Sequence, residues 1–116
     1  MNLEQLRDYC LSLPGTSEDF PFGEETLVFR VKGKIFLLTP VDSEQRRFNV
    51  KCDPEKAIEL REEYPSVKPG YHMSKKHWNT ILDEGKVPDS LLKTWIKDSY
   101  DLIVESLPAK ARAELR

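Results

Sequence analysis

The chain has 116 residues, 33% of them charged and 39% hydrophobic, and a net charge of −2. A chain of this size supports one hydrophobic core, and its composition excludes a disordered or membrane-embedded class. No apolar run approaches the roughly 20 residues of a membrane helix, and the near-neutral total lacks the footprint of a strong general nucleic-acid binder.

Taken in chain order, Leu3, Leu6, Cys10 and Leu13 form an amphipathic helical stripe. Asn2 followed by Gln5 reads as a capping box, and Pro14-Gly15 stops the helix. The N-terminal MNLEQLRDYC has no basic region followed by an apolar stretch, so a cytoplasmic protein without a secretory signal is expected. The acidic loop TSEDFPFGEE carries Phe20 and Phe22, which are expected to staple it to the core. TLVFRV alternates, with Leu27, Phe29 and Val31 on one face. Lys32-Gly33-Lys34 is a tight turn, and IFLLT is the return strand. RRFNVK predicts a third strand with Phe48 and Val50 on one face.

Asp53-Pro54 opens a second helix, with Asp as cap and Pro in the first turn. Ala57, Ile58 and Leu60 supply its apolar side, and Tyr64-Pro65 ends it. A short extended piece around Tyr71 and His72 follows, then a turn and a strand from His77 to Leu82 with Trp78, Thr80 and Leu82 on one face. Trp78 is expected to turn inward as the anchor of this second hairpin. Pro88-Asp89 begins a long final helix striped by Leu92, Trp95, Ile96, Ser99, Ile103 and Leu107. Pro108 ends it, leaving residues 109–116 as a polar, helix-prone tail. The predicted fold is α+β in the order α-β-β-β-α-β-β-α: a two-layer sandwich, one antiparallel sheet with helices on one side, in a single domain over residues 1–116.

Three kinds of chemistry compete for the polar residues. His72 and His77 lie five apart on what would be two arms of a hairpin, beside Lys75 and Lys76. Zinc sites use three or four protein ligands and the lysines repel a cation, so no metal or other cofactor is expected. Cys10 and Cys52 read as buried reduced thiols, without the basic helix-start setting that activates a nucleophile. Ser99 lies mid-helix, where a hydroxyl usually bonds back to the preceding turn. No G-x-S-x-G elbow or phosphate-binding loop is present, so no enzyme is expected.

The charge distribution is more informative. Residues 32–51 carry five basic and two acidic groups, and residues 66–82 carry three basic and no acidic ones. These basic segments fall on the strands. Arg30, Lys32, Arg47 and Lys51 alternate away from the apolar face, Lys34 sits in the first turn, and Lys68, Lys75, Lys76 and His77 flank the second. With Tyr71 and Trp78 as possible stacking surfaces, they form a candidate phosphate-contacting surface. The competing reading is solubilising charge on sheet surfaces and edges.

The blocks LPGTSEDFPFG, VFRVKGKIF, VKCDPEKAIELREEYPSVKPGYHMSKKHWNTI and VPDSLLKTWIKDSYDLIV resemble, in order, the signature blocks of the MmcQ/YjbR family of small bacterial proteins. Its most specific blocks read here as Lys75-Lys76-His77-Trp78 and Ser99-Tyr100-Asp101-Leu102-Ile103-Val104. The resemblance implies a fold similar to the frataxin/CyaY type and a DNA-binding label that rests on two wing-like hairpins. It supplies no catalytic residues. Iron handling of the frataxin kind would need an acidic first helix, and this one offers only Glu4 and Asp8 beside Arg7. The expectation is therefore a monomer that contacts DNA backbone with weak sequence specificity and no membrane. The alternative is a non-enzymatic protein- or small-ligand-binding module, in which Tyr71, His77 and Trp78 line a groove beside the acidic loop.

Overall fold

Capping chemistry sets the helix starts. In the computed structural model, which describes residues 1–115, helix α1 spans Leu3–Ser12 under a full Asn2/Gln5 capping box. Asp53 caps α2, Pro54–Glu63, by accepting from the Glu55 and Lys56 amides. Helix α3, Asp89–Glu105, follows Pro88, whose extended backbone and missing N–H suit a helix entrance. A short α4, Ala109–Ala113, forms within the predicted polar tail.

The strands are β1 (Thr16–Asp19), β2 (Thr26–Val31), β3 (Lys34–Pro40), β4 (Arg47–Lys51), β5 (Val67–Pro69) and β6 (Trp78–Leu82). They make one antiparallel sheet in the order β1-β2-β3-β4-β6-β5. Helix α3 packs across β2, β3 and β4, while α1 covers β1 and α2 covers β5. The predicted α+β sandwich is therefore correct, with helices on one face. The predicted element order lacks β1 and α4. β1 lies inside the expected acidic loop and pairs along β2, from Thr16 opposite Val31 to Asp19 opposite Val28.

Between sheet and helices lie Leu27, Phe29, Phe36, Leu37, Phe48 and Ile81, packed against Leu6, Leu92, Trp95 and Ile96. Phe36 faces this core because the β2–β3 register shifts between Phe29 and Arg30, and its ring meets Tyr100 edge-on at 5.5 Å. The two-residue Lys32-Gly33 turn has φ of 50° and 84°, the positive pair that a type I′ hairpin requires. Among the described residues no helix covers the opposite face of the sheet. Val28, Leu38, Asn49, Thr80 and Trp78 belong to it by strand alternation.

Three local expectations fail. Phe20 and Phe22 are 48% and 67% exposed, so they do not staple the loop to the core. Ile58 is 54% exposed, because the inward stripe of α2 passes through Ala57 and Leu60 instead. Trp78 is half-buried on the open face, and the inward positions of β6 are Asn79 and Ile81. Asn79 tolerates burial because Arg61 Nε donates to its Oδ1 at 2.7 Å and its own amide donates to the Ala57 carbonyl.

Candidate functional site

The segment from Gly70 to His77 folds back over the open face instead of projecting as a free hairpin tip. The Gly70 amide donates to the Trp78 carbonyl at 2.9 Å, and Arg61 reaches from α2 to the carbonyls of Lys75 and Trp78. The Tyr71 amide donates to Thr80 Oγ1, Thr80 donates to Asn49 Oδ1 at 2.6 Å, and Asn49 Nδ2 donates to the Tyr71 carbonyl. This closed ring of bonds fixes Tyr71 above β4 and β6. A Cβ on Gly70 would lie 2.8 Å from both the Cβ and the carbonyl oxygen of Trp78, so only glycine allows the approach.

Beside this segment a groove of about 540 Å³ opens on the sheet, within the range of about 300–1,000 Å³ typical of small-molecule sites. Ile35 and Leu38 form its floor, with Trp78, Met73 and Tyr71 on one side and Phe22 and Glu25 from the acidic loop on the other. Arg47, Asn49 and His72 bring polar groups to it. The Arg47 guanidinium lies 5.7 Å from the Tyr71 ring centroid, and Tyr71 and His72 rings lie 4.0 Å apart. His72 has φ of 57°, a left-handed conformation that costs a non-glycine residue about 1–2 kcal/mol. Such outliers concentrate at functional sites.

The sequence-predicted phosphate contacts divide. Arg30 donates to Asp19 at 2.9 Å and to the Gly33 carbonyl, and Lys32 pairs with Glu114 at 2.6 Å. Lys75 donates to the Gly70 carbonyl, and Arg47 belongs to the groove. Lys34, Lys68, Lys76 and His77 are exposed and Lys51 is half-exposed, without an ion pair among the described residues. Strand direction puts Lys34, Lys51 and Lys76 at one end of the sheet, because Lys34 opposes Val31 and Lys51 opposes Trp78. Of the aromatic pair, both Tyr71 and Trp78 line the groove. The imidazole that joins them is His72, whereas His77 is exposed outside it.

Missed in sequence were Phe22, Met73 and Asn49. Alternation with Phe48 and Val50 puts Asn49 on the outer face of β4, but nothing local links it to Tyr71 or Phe22. No cluster of three or more His, Cys, Asp or Glu forms among the described residues. Both thiols are free. Burial pushes Cys10 up to about 12, with Glu18 adding to the effect, and burial with Asp53 pushes Cys52 up to about 11. Neither thiol lines the groove.

Ser99 and Tyr100, the start of the second family-like block, serve the fold. Ser99 Oγ donates to the Phe36 carbonyl at 2.6 Å and accepts from the Lys51 amide at 2.8 Å. It bridges two strands instead of bonding back along its helix. Tyr100 donates to the Pro14 carbonyl at 2.6 Å.

A family model described as YjbR matches residues 11–102. The chain is 37% identical over 113 residues to the uncharacterized protein YbdF of Escherichia coli O157:H7, covering 97% of this chain and 93% of that protein. It is 28% identical over 112 residues to the uncharacterized protein YjbR of Escherichia coli K12, covering 97% and 95%. The crystal structure of the Deinococcus radiodurans protein DR2400, described by the family-model domain DUF419, superposes with a TM-score of 0.92 at 40% identity. That likeness covers 98% of this chain and 87% of DR2400.

Proposed function

Since the chain belongs to the YjbR family, and that membership carries no reaction with it, we propose a function from the groove itself: a non-enzymatic, small-ligand-binding module. The observation that carries this is the aromatic-walled groove of about 540 Å³ on the open sheet face. Exposed Phe22 and Tyr71, at 67% and 59%, leave apolar surface that a ligand would cover. The hydrogen-bond ring around Asn49, Thr80 and Tyr71 supplies preorganisation. The free thiols suit a reducing, cytoplasmic setting.

The two tryptophans make the test direct. With 5-fluorotryptophan incorporated, titration with neutral 2-naphthamide or with 2-naphthoate should move the Trp78 ¹⁹F resonance saturably. Trp95, 4% exposed in the core, should stay still. No movement of Trp78 by either compound at millimolar concentration overturns the reading.

A second reading, contact with DNA backbone, draws support from Lys34, Lys51 and Lys76 at one sheet end. Against it, Arg30 and Lys32 are occupied by Asp19 and Glu114. Under this reading duplex binding weakens steeply with salt, and Lys34→Ala with Lys76→Ala weakens it for all sequences alike. A flat salt response refutes it.

A further inference from the structure

Among the six described arginines, five have hydrogen-bond partners. Arg7 is held by Glu18, Arg30 by Asp19, Arg46 by the Pro40 carbonyl, Arg61 by Asn79 and Arg112 by the Glu105 carbonyl. Arg47 is the exception. It is half-buried in the groove, with the Tyr71 ring as its neighbour and no hydrogen-bond acceptor or carboxylate among the described residues. A guanidinium presents a planar fork of donors that matches a carboxylate with two parallel bonds. Partial removal from water strengthens such a pair relative to one at the surface.

The other charges fix where an anion would go. Glu25 lies on the opposite rim. Thr26 pairs with Pro40, and the β3–β4 register carries Pro40 to Arg47, so two strand spacings of about 5 Å each separate the rims. The Glu25 side therefore disfavours negative charge, and the Arg47 side has no acidic neighbour within ion-pair distance among the described residues. Leu38 and Ile35 give the floor between them, and the Phe22 ring on the Glu25 side and the Trp78 ring on β6 give the facing walls, for a flat apolar body.

We propose that the groove selects a compact aromatic carboxylate, with the ring seated between Phe22 and Trp78 and the carboxylate on the Arg47 guanidinium. This rests on the groove being a ligand site. Tyr71 acts beneath the guanidinium as a positioning residue, holding it by its ring face while the donor edges stay available.

Three naphthalene probes of one shape and different charge separate the possibilities: 2-naphthoate, 2-naphthamide and 2-naphthylmethylammonium, each titrated into the intact chain at neutral pH and fixed salt. Dissociation constants are read from the Trp78 ¹⁹F shift. The naphthoate should bind about tenfold or more tighter than the amide, as expected of a charge-assisted pair, and the ammonium weakest. Arg47→Gln should lower naphthoate affinity about tenfold while leaving the amide within about twofold, and Arg47→Lys should restore part of the loss, because an ammonium lacks the fork. An unchanged Trp95 resonance certifies the fold of each variant. Equal affinity for all three probes, or an equal loss for amide and naphthoate in Arg47→Gln, overturns the carboxylate inference and leaves the groove reading standing. If no probe moves Trp78, both fall together.

Discussion

Ser99→Ala deletes one oxygen from the centre of the molecule, and the structure sets the consequence. The β3–β4 ladder pairs Leu37 with Val50 and Leu38 with Asn49, so its register continues to Phe36 opposite Lys51. The irregularity that turns Phe36 toward the core coincides with this position, and the Ser99 hydroxyl joins the two strands there, donating to one and accepting from the other. Removing it leaves a carbonyl and an amide without partners, and Ser99 itself is fully buried, so water does not replace it without rearrangement. Each orphaned group costs about 1–3 kcal/mol, and closure of the strands onto each other recovers part, so the net loss is about 3 kcal/mol. For a domain of this size that is a fall in Tm of about 12 °C. Thr94→Ala on the same helix is the control, since Thr94 bonds only back to Ser90 at the surface; it should change stability by less than about 0.5 kcal/mol. Urea unfolding of both variants measures the difference. A Ser99→Ala loss no larger than that of Thr94→Ala would refute the strand-bridging role.

Gly70→Ala should displace residues 70–77 from the sheet, because the added Cβ meets backbone as well as side chain of Trp78; Trp78 should become more accessible to acrylamide quenching, and an unchanged Stern–Volmer constant would contradict this. His72→Gly should stabilise the fold by about 0.5–1 kcal/mol by relieving the positive φ, while loosening the segment that carries Tyr71; thermal unfolding and probe affinity would move in opposite directions. The thiols set an alkaline limit. Their pKa values rise from 9.0 on folding, to about 12 for Cys10 and about 11 for Cys52, so the folded state favours the protonated thiol. Their contribution is full below about pH 9 and is lost as pH rises toward 12. Tyr9 and Tyr100, also raised by burial, act in the same direction, so the check is a shallower alkaline loss of stability in Cys10→Ala than in the parent.

Helix boundaries were readable because their determinants are local. The Asn2/Gln5 box and the Asp53-Pro54 start need only three or four residues, and the Lys32-Gly33 turn needs two. β1 was not readable, because Thr16, Ser17, Glu18 and Asp19 lack apolar alternation. Pairing with β2 holds them, assisted by the Arg7–Glu18 and Arg30–Asp19 bridges, whose partners are eleven positions away. The face of Trp78 was misjudged because β6 alternates between Trp78, Thr80, Leu82 and Asn79, Ile81, sets of similar overall polarity. Burying Asn79 depends on Arg61 of α2, a tertiary fact. The candidate site was legible in Tyr71, Trp78 and the outward strand residue Arg47. The groove itself was not, since it depends on Phe22 and Glu25 of one loop and Tyr71, His72 and Met73 of a distant segment lining one sheet face. Nor could sequence distinguish the unpartnered Arg47 from Arg30 and Lys32, whose charges are met by Asp19 and Glu114.

The proposed function rests on one claim, that the open sheet face, rather than a hairpin tip, receives the ligand. The chain's two methionines allow a direct measurement, because Met73 lines the groove and Met1 does not. With ¹³C in both ε-methyl groups and 2-naphthoate bound, intermolecular NOEs should connect the naphthalene protons to Met73 and leave Met1 silent. NOEs to Met1 but not Met73, or none to either under saturating probe, would contradict the claim.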